Sequence, residues 1–194
     1  IEAPFSSACS EYEFSPPARL NGASILAIAD AAARIEAPFS RAGGENSYSL
    51  HAELQEITHN LVGIIRTGKE VEEAIEKIAA IRARSANVAV AGTRQFNPGF
   101  HLAFDLDNML LVAESTAKSA LLREESRGGH TRDDFPGMSS KFRQINHISS
   151  FDGKVVNVKV QPLPPIPKEL FDLFDIHELE KYMTPEEIAK GGSN

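Results

Sequence analysis

The stretch NPGFHLAFDLDNMLLVAESTAKSALLREESRGGHTRDDFP, residues 97–136, decides the fold class of this chain. Asn97 and Pro98 predict a helix N-terminus, because an Asx side chain caps the first turn and proline fits the first helical position. Gly128 and Gly129 predict the end of the helix, since glycine tolerates the left-handed conformation found there. Between them the apolar residues recur at helical spacing: Phe100, Leu102, Leu106, Met109, Leu110, Ala113, Ala117, Ala120 and Leu121.

Two shorter helices with matching apolar faces precede this one. The first has Ser49 as its expected N-cap, and its apolar face holds Leu50, Leu54, Ile57, Leu61, Ile64 and Ile65. The second begins at a capping box formed by Thr67 and Glu70. Its apolar face holds Val71, Ile75, Ile78 and Ile81. Three such helices with short connections predict an up-and-down bundle of the spectrin-repeat type.

The sequence on either side of the bundle predicts further elements. An alanine-rich helix is expected from Gly22 to Glu36, ending before Pro38. Asp152-Gly153 is a hairpin turn signal between residues 144–150 and the alternating segment 157–160. QPLPPIP, residues 161–167, predicts an extended proline-rich segment.

The predicted fold class is therefore mostly α. Thr184, Pro185 and Glu187 add a short capped helix near the end of the chain. We divide the chain into residues 1–43, an N-terminal arm and linker helix, residues 44–136, the three-helix bundle, and residues 137–194, an extended tail with a hairpin and the short helix.

Charge and composition exclude several classes of function. The chain has 20 basic and 27 acidic residues among 194, a net charge of −7. Nucleic-acid binding depends on an excess of basic residues, so no nucleic-acid partner is expected. No apolar run is long enough to span a bilayer, so direct membrane insertion is not expected. The single cysteine, Cys9, fits a reducing, cytoplasmic location.

The chain carries no recognised catalytic, cofactor-binding or metal-binding motif. Its six histidines form no HExxH pair, and no GxGxxG, GxxxxGK[ST] or GxSxG pattern is present. We therefore expect no catalytic, cofactor-binding or metal-binding residue here.

Residues 123–134, REESRGGHTRDD, have two possible interpretations. One is a solvated helix end whose charges neutralise each other. The other is a docking or anion-binding surface, because arginine forks bind carboxylates with two hydrogen bonds.

Three segments resemble the flavoprotein subunit of succinate dehydrogenase and fumarate reductase, most closely the actinobacterial type of succinate dehydrogenase. ESRGGHTRDDFP is similar to the family signature ESRGxHxRxDxP. RQFNPGFHLAFDLDNMLLVAESTAKSALLREESRGGH is similar to the third helix of its C-terminal domain, and GENSYSLHAELQEITHNLVGIIR to the first. The resemblance covers residues 44–136 and continues weakly to IHELEKYMTPEEI near the end of the chain.

The resemblance implies a domain separated from its catalytic part, which also accounts for a first residue, Ile1, that is not Met. In the family, FAD and most succinate-binding residues belong to an upstream flavin domain. The parent subunit passes electrons from succinate through FAD to an iron–sulfur subunit and quinone, on the inner face of the cell membrane. For this chain the resemblance implies contact with the flavin domain, no bound FAD and no activity in isolation.

The family signature also implies which residues make that contact. They are Glu125, Ser126, Arg127, Gly128, Gly129, His130, Arg132 and Asp133. Arg127 and Arg132 would bind carboxylates or carbonyls across the interface, and His130 would orient a hydrogen bond.

Two alternatives remain at this point. The parent could be another flavoprotein of the superfamily, a fumarate reductase or L-aspartate oxidase, although residues 130–134, HTRDD, fit the respiratory dehydrogenase better. The chain could also be a stand-alone, non-enzymatic helical interaction module, since its apolar faces would look the same.

Overall fold

The computed structural model describes residues 22–164 and 166–191. The expectations for residues 1–20, including Cys9, lie outside the described residues. The helices are α1 Gly22–Ser40, α2 Ser47–Leu61, α3 Gly68–Ser85, α4 Pro98–Leu122, α5 Ser140–Arg143, α6 Lys168–Phe171, α7 Ile176–Glu180 and α8 Pro185–Ala189. The strands are β1 Glu45–Asn46, β2 Ile65–Arg66, β3 Val88–Ala89, β4 Thr131–Arg132, β5 Ile145–Phe151 and β6 Val156–Pro162.

The core lies between α2, α3 and α4, which contact one another in all three pairings. Its fully or nearly buried side chains are Leu50, Leu54, Ile57, Val71, Ala74, Ile78, Ile81, Val88, Val90, Leu106, Leu110 and Ala117. Each helix contributes apolar residues three or four positions apart, so the sequence period places them on one face. The structure confirms the predicted fold class, a mostly α protein with a three-helix bundle.

Two short parallel strand pairs close the two ends of the bundle. At one end β1 pairs with β3, with Glu45 opposite Val88. At the other end β2, between α2 and α3, pairs with β4, which follows α4; Ile65 lies opposite Thr131 and Arg66 opposite Arg132. The second pair fixes the segment after α4 against the connection between the other two helices.

The predicted hairpin is also confirmed. β5 and β6 are antiparallel, with Ile145 opposite Pro162 and Phe151 opposite Val156. Gly153, in the turn, has a φ of 93°, a conformation that favours glycine. The hairpin contacts α4, where Lys118 Nζ donates to the Val156 carbonyl at 2.8 Å.

The predicted ends of α2 are wrong. Asn46, not Ser49, is the N-cap, because the Asn46 side chain accepts hydrogen bonds from the amides of Tyr48 and Ser49. The helix ends at Leu61, so Ile64 and Ile65 leave the apolar face and are 69% and 65% exposed. A Cβ on Gly63 would lie 2.8 Å from the His59 carbonyl oxygen, which shows how tightly the chain turns here.

The predicted end of α1 is also wrong. Among the described residues, 22–37 belong to one unit and those from 38 onward to another. In the first, most side chains from Leu26 onward are exposed. The helix continues to Ser40 and contains Pro38. Proline removes one helix hydrogen bond and its ring crowds the carbonyl four residues earlier, and α1 ends two residues after Pro38. The Pro38 carbonyl accepts from the Val90 amide at 2.9 Å.

The local caps of α3, α4 and α8 agree with the sequence. Thr67 and Glu70 form the reciprocal capping box of α3. The Asn97 side chain caps α4 with Pro98 in the first turn, and Thr184 and Glu187 form a second capping box at α8.

Candidate functional site

Arg132 ends helix α4. The predicted end at Gly128 and Gly129 is wrong, because α4 stops at Leu122. The Arg132 guanidinium is buried, 2% exposed, and its Nη1 donates to the carbonyls of Ala120 at 3.0 Å and Leu121 at 2.9 Å. These carbonyls have no partner inside the helix. The Arg132 side chain, ten residues after the end of α4, supplies the hydrogen bonds that cap the helix, where the sequence predicted a glycine turn.

Asp134 holds Arg132 in place and ties it to α3. Its carboxylate accepts two hydrogen bonds from the guanidinium, at 2.8 and 2.7 Å, and a third from the Gly68 amide at 3.0 Å. A Cβ on Gly68 would lie 2.8 Å from Arg132 Nη2 and 3.1 Å from Asp134 Oδ2. The first residue of α3 is therefore glycine because the ion pair approaches its backbone closely.

Glu125 is the second buried charge of the segment and is fully buried. One of its oxygens accepts from Arg123 Nε at 2.8 Å and Arg127 Nε at 3.1 Å, and the other accepts from the Ser139 amide at 2.9 Å. Burial raises the pKa of this carboxyl, but the Ser139 amide and the two arginines outweigh burial and lower it. Glu125 therefore stays ionised and links the chain on both sides of the turn.

The turn between Arg127 and His130 is tight. The amide of each residue donates to the carbonyl of the other, at 2.9 and 3.2 Å. Gly128, between them, has a φ of 62°, which explains glycine there. The Ser126 hydroxyl accepts from the Arg132 amide at 2.8 Å and donates toward the Phe135 carbonyl, which closes the loop that follows.

His130 lies beside a pocket of about 370 Å³, here called the basic pocket, lined by Arg66, Ser115, Thr116, Ser119, Ala120, Arg123, His130 and His147. The His130 Nε2 lies 2.9 Å from the Arg123 carbonyl, an acceptor that requires the proton to be on Nε2. Burial lowers the pKa of His130; the hydrogen bond to the Arg123 carbonyl opposes this, and the positive charges of Arg66, Arg123 and Arg132 add to the lowering, so the pKa lies below its usual value. The ring is therefore neutral near pH 7.

The predicted docking residues are buried, half-buried or exposed, and Ser126 and His130 are among the half-buried ones. Glu125 and Arg132 are buried and bind partners in their own domain, so Arg132 is not free to bind across an interface. Arg127 is half-buried and donates to Glu125 and to the Phe142 carbonyl. Exposed backbone or side chains remain at Gly128, Gly129 and Asp133.

The sequence did not single out several groups that the structure brings to this end of the bundle. Arg66 is 9% exposed and His147 is half-buried, although arginine is usually exposed. Asp134 completes the Arg132 ion pair. Ile64 and Ile65 are exposed where the helical period predicted core positions. Of these features, the sequence indicated only the ion pair of Arg132 and Asp134, because the two residues are two positions apart.

The described residues form neither a cluster of metal ligands nor a membrane-spanning helix. Residues 22–164 and 166–191 contain no group of three His, Cys, Asp or Glu side chains able to hold a metal ion. None of the helices in the described ranges is both long enough and apolar enough to cross a membrane.

The chain is similar to a fumarate reductase flavoprotein subunit and to two solved structures. A Helicobacter pylori fumarate reductase flavoprotein subunit is 38% identical over 95 residues, 48% of this chain and 13% of that protein. Among solved structures, the Mycobacterium smegmatis Sdh1 complex in the apo form matches with a TM-score of 0.78 and 46% identity, covering 86% of this chain and 29% of that one. An E. coli quinol fumarate reductase FrdA matches with a TM-score of 0.66 and 26% identity, covering 76% of this chain and 26% of that one.

This chain thus spans less than a third of the length of the proteins it matches. The family model described as "Fumarate reductase flavoprotein C-term" matches residues 51–165, more than half of the 194 residues. The chain belongs to the C-terminal domain family of the succinate dehydrogenase and fumarate reductase flavoproteins.

Proposed function

We propose that this chain is the C-terminal helical domain of a flavoprotein subunit that oxidises succinate to fumarate, and that residues 44–136 form the bundle that packs on the flavin domain. The observation that carries the proposal is the 46% identity with the Sdh1 chain over 86% of the sequence, against 26% with the FrdA chain. The flavin domain would then lie in the part of the relatives that this chain does not match.

The described residues do not fit a flavin. Dinucleotides are commonly held where a glycine-rich turn joins a parallel strand to a helix. Here each parallel pairing is two residues long, and no GxGxxG occurs anywhere in the sequence. The parent protein would therefore hold FAD elsewhere, and we expect the purified 194-residue chain to show neither flavin absorbance nor turnover.

The surface that we assign to the flavin domain lies at the β2·β4 end of the bundle. We call it the docking surface and define it by Ile64, Ile65, Gly128, Gly129, Asp133, Phe135 and Met138, which are all exposed. Four of these residues are apolar side chains, from 36% to 69% exposed. An apolar group of this kind with a polar edge is typical of a contact surface.

Ion pairs within the domain make this surface rigid. Arg132 and Asp134 fix β4 against β2 and α3, and Glu125 fixes the start of the segment to Ser139. Because these charges bind within the domain, the turn at Gly128 is already formed before any partner binds. A preformed surface loses less conformational entropy on association.

The remaining partners follow from the parent complex. We propose that the subunit transfers electrons to an iron–sulfur subunit, and that it lies on the cytoplasmic side of the membrane through that complex without inserting itself. The solved relatives are, by their descriptions, an Sdh1 complex and a quinol fumarate reductase.

Association of this chain with a separately expressed flavin domain tests the proposal. Ile65→Asp should weaken the apparent affinity at least about tenfold, since it places a charge in an apolar contact, and Arg127→Ala should weaken it less. Val112→Asp is the matched control, because Val112 on α4 is 64% exposed and Ile65 is 65% exposed. Equal effects of the two aspartates, or no association at high micromolar concentration, would support the stand-alone module instead.

A fumarate reductase is the second candidate, because the Helicobacter pylori relative carries that name. Rates of the intact parent enzyme with succinate and with fumarate separate the two. The succinate dehydrogenase proposal requires succinate oxidation to be the faster direction with a quinone acceptor, and faster fumarate reduction would contradict it.

A further inference from the structure

The basic pocket carries positive charge that no acidic residue in its lining neutralises. Its most polar lining side chains are two arginines, two histidines and hydroxyls of α4, namely Arg66, Arg123, His130, His147, Ser115 and Ser119. No lining residue is acidic. A volume of about 370 Å³ is enough for a small molecule, since ligand pockets begin at roughly 300 Å³.

Arg66 is the strongest indication of a ligand. Its side chain is 9% exposed, and its Nη1 donates to the Val62 carbonyl at 3.3 Å. Its buried Nε has no hydrogen-bond partner, and within the described part of the chain its guanidinium forms no ion pair with a carboxylate. A buried charge without a counter-charge or full hydrogen bonding is strongly destabilising.

A second unpartnered donor or acceptor lines the same pocket. His147 Nε2 is buried and makes no hydrogen bond within the described chain. Arg123 does not remove the excess positive charge, because it shares one oxygen of Glu125 with Arg127. Two of the three unpartnered buried side-chain atoms in the described residues thus belong to one pocket, and both could donate hydrogen bonds.

We propose that the basic pocket binds a small oxyanion, a phosphate or a carboxylate, through Arg66 and His147. An oxyanion would supply both the missing negative charge for Arg66 and an acceptor for its Nε. The His147 ring would donate from Nε2, and the hydroxyl groups of α4 are further donors on the pocket wall. The site belongs to this chain alone, so it does not depend on the proposed docking or on the activity of the parent.

NMR of the histidine rings of the 194-residue chain tests the site. Sodium phosphate, and separately sodium acetate, is added at constant ionic strength with chloride as the balancing anion. The ring resonances of His130 and His147 should shift and saturate with at least one of the two anions. Arg66→Gln should weaken the apparent affinity at least about tenfold, and Arg66→Lys by less, because lysine keeps the charge and loses the fork.

The matched control is Arg84→Gln, which removes the same charge from α3 at the opposite end of the bundle, where Arg84 pairs with Glu45 and Glu53. It should leave the affinity unchanged. Thermal unfolding gives a second measurement, since the bound anion should raise the midpoint of the wild type more than that of Arg66→Gln. Shifts that do not saturate, or that are the same in wild type and Arg66→Gln, would overturn the proposal.

Discussion

The guanidinium of Arg132 and the carboxylate of Asp134 form a two-pronged ion pair, with Nε to Oδ1 at 2.8 Å and Nη2 to Oδ2 at 2.7 Å. The third nitrogen of the same guanidinium caps the end of α4, and the same carboxylate binds the first amide of α3. One residue pair therefore joins two helices and the strand β4.

Replacing Arg132 should be among the most destabilising changes in the bundle. In Arg132→Gln the carbonyls of Ala120 and Leu121 lose their donor and Asp134 loses its counter-charge. Leaving a buried acceptor without its donor costs about 1–3 kcal/mol in other proteins, and we expect a loss of at least that order in the free energy of unfolding by urea.

Asp134→Asn is the companion variant and should cost less, because Asp134 is partly exposed and the amide can still accept from Gly68. Lys77→Gln is the control, since it breaks only the exposed ion pair with Glu73 and should leave the urea midpoint nearly unchanged. An Arg132→Gln protein as stable as the control would contradict the capping role.

Ile78→Ala should lower the free energy of unfolding far more than Ile65→Ala. Ile78 is fully buried between the helices, and truncation of such a residue costs about 2–5 kcal/mol. Ile65 is exposed, so its truncation should change the free energy of unfolding by less than about 0.5 kcal/mol. Similar losses for both variants would mean that α2 continues through Ile65 as its apolar period suggests.

The stability of the domain should fall as the pH drops from about 7.5 to 5.5. Burial comes first among the causes that lower the pKa of His130 and His147; the charges of Arg66, Arg123 and Arg132 add to it at His130, and Arg123 at His147. The unfolded histidines bind protons near pH 6.5, before the folded ones do, so acid favours unfolding. The double variant with His130→Gln and His147→Gln should show a shallower pH dependence, and an unchanged slope would contradict the shifts.

Thr67→Ala tests the capping box at the start of α3. The change removes the hydroxyl that accepts from the Glu70 amide, and loss of an N-cap costs about 1 kcal/mol. Thr116→Ala serves as a control, because among the described residues the Thr116 hydroxyl bonds to the Val112 carbonyl of its own helix and to no other group. A loss no greater than that of the control would show that Thr67 does not stabilise the helix.

The features that the sequence predicted are those with local causes. The start of α3 at Thr67 and of α4 at Asn97 depends on residues within one turn, and the core faces follow from the period. The ends of α2 and α4 depend on distant partners. Arg132 caps the end of α4 from ten residues further along the chain. Pairing with β4 places Ile65 in strand β2 and not in helix α2.

The sequence predicted which segment of the chain forms the site, but not the hydrogen bonds and ion pairs that the segment makes. The signature 125–136 drew attention to Arg127, His130 and Arg132, yet no local rule states that Arg132 would be buried against its own helix. Arg66 and His147 lie 64 and 17 residues from His130 in the sequence. Only the β2·β4 pairing and the packing of the hairpin on α4 bring them to one pocket.

Amide hydrogen exchange at the turn of the docking surface tests the central claim most directly. The amides of Gly128 and Gly129 make no backbone hydrogen bond within the described chain, so they should exchange rapidly in the isolated domain. In the intact parent subunit they should exchange at least about tenfold more slowly, because the flavin domain would cover them. Equal exchange rates in the two proteins would contradict docking through this surface.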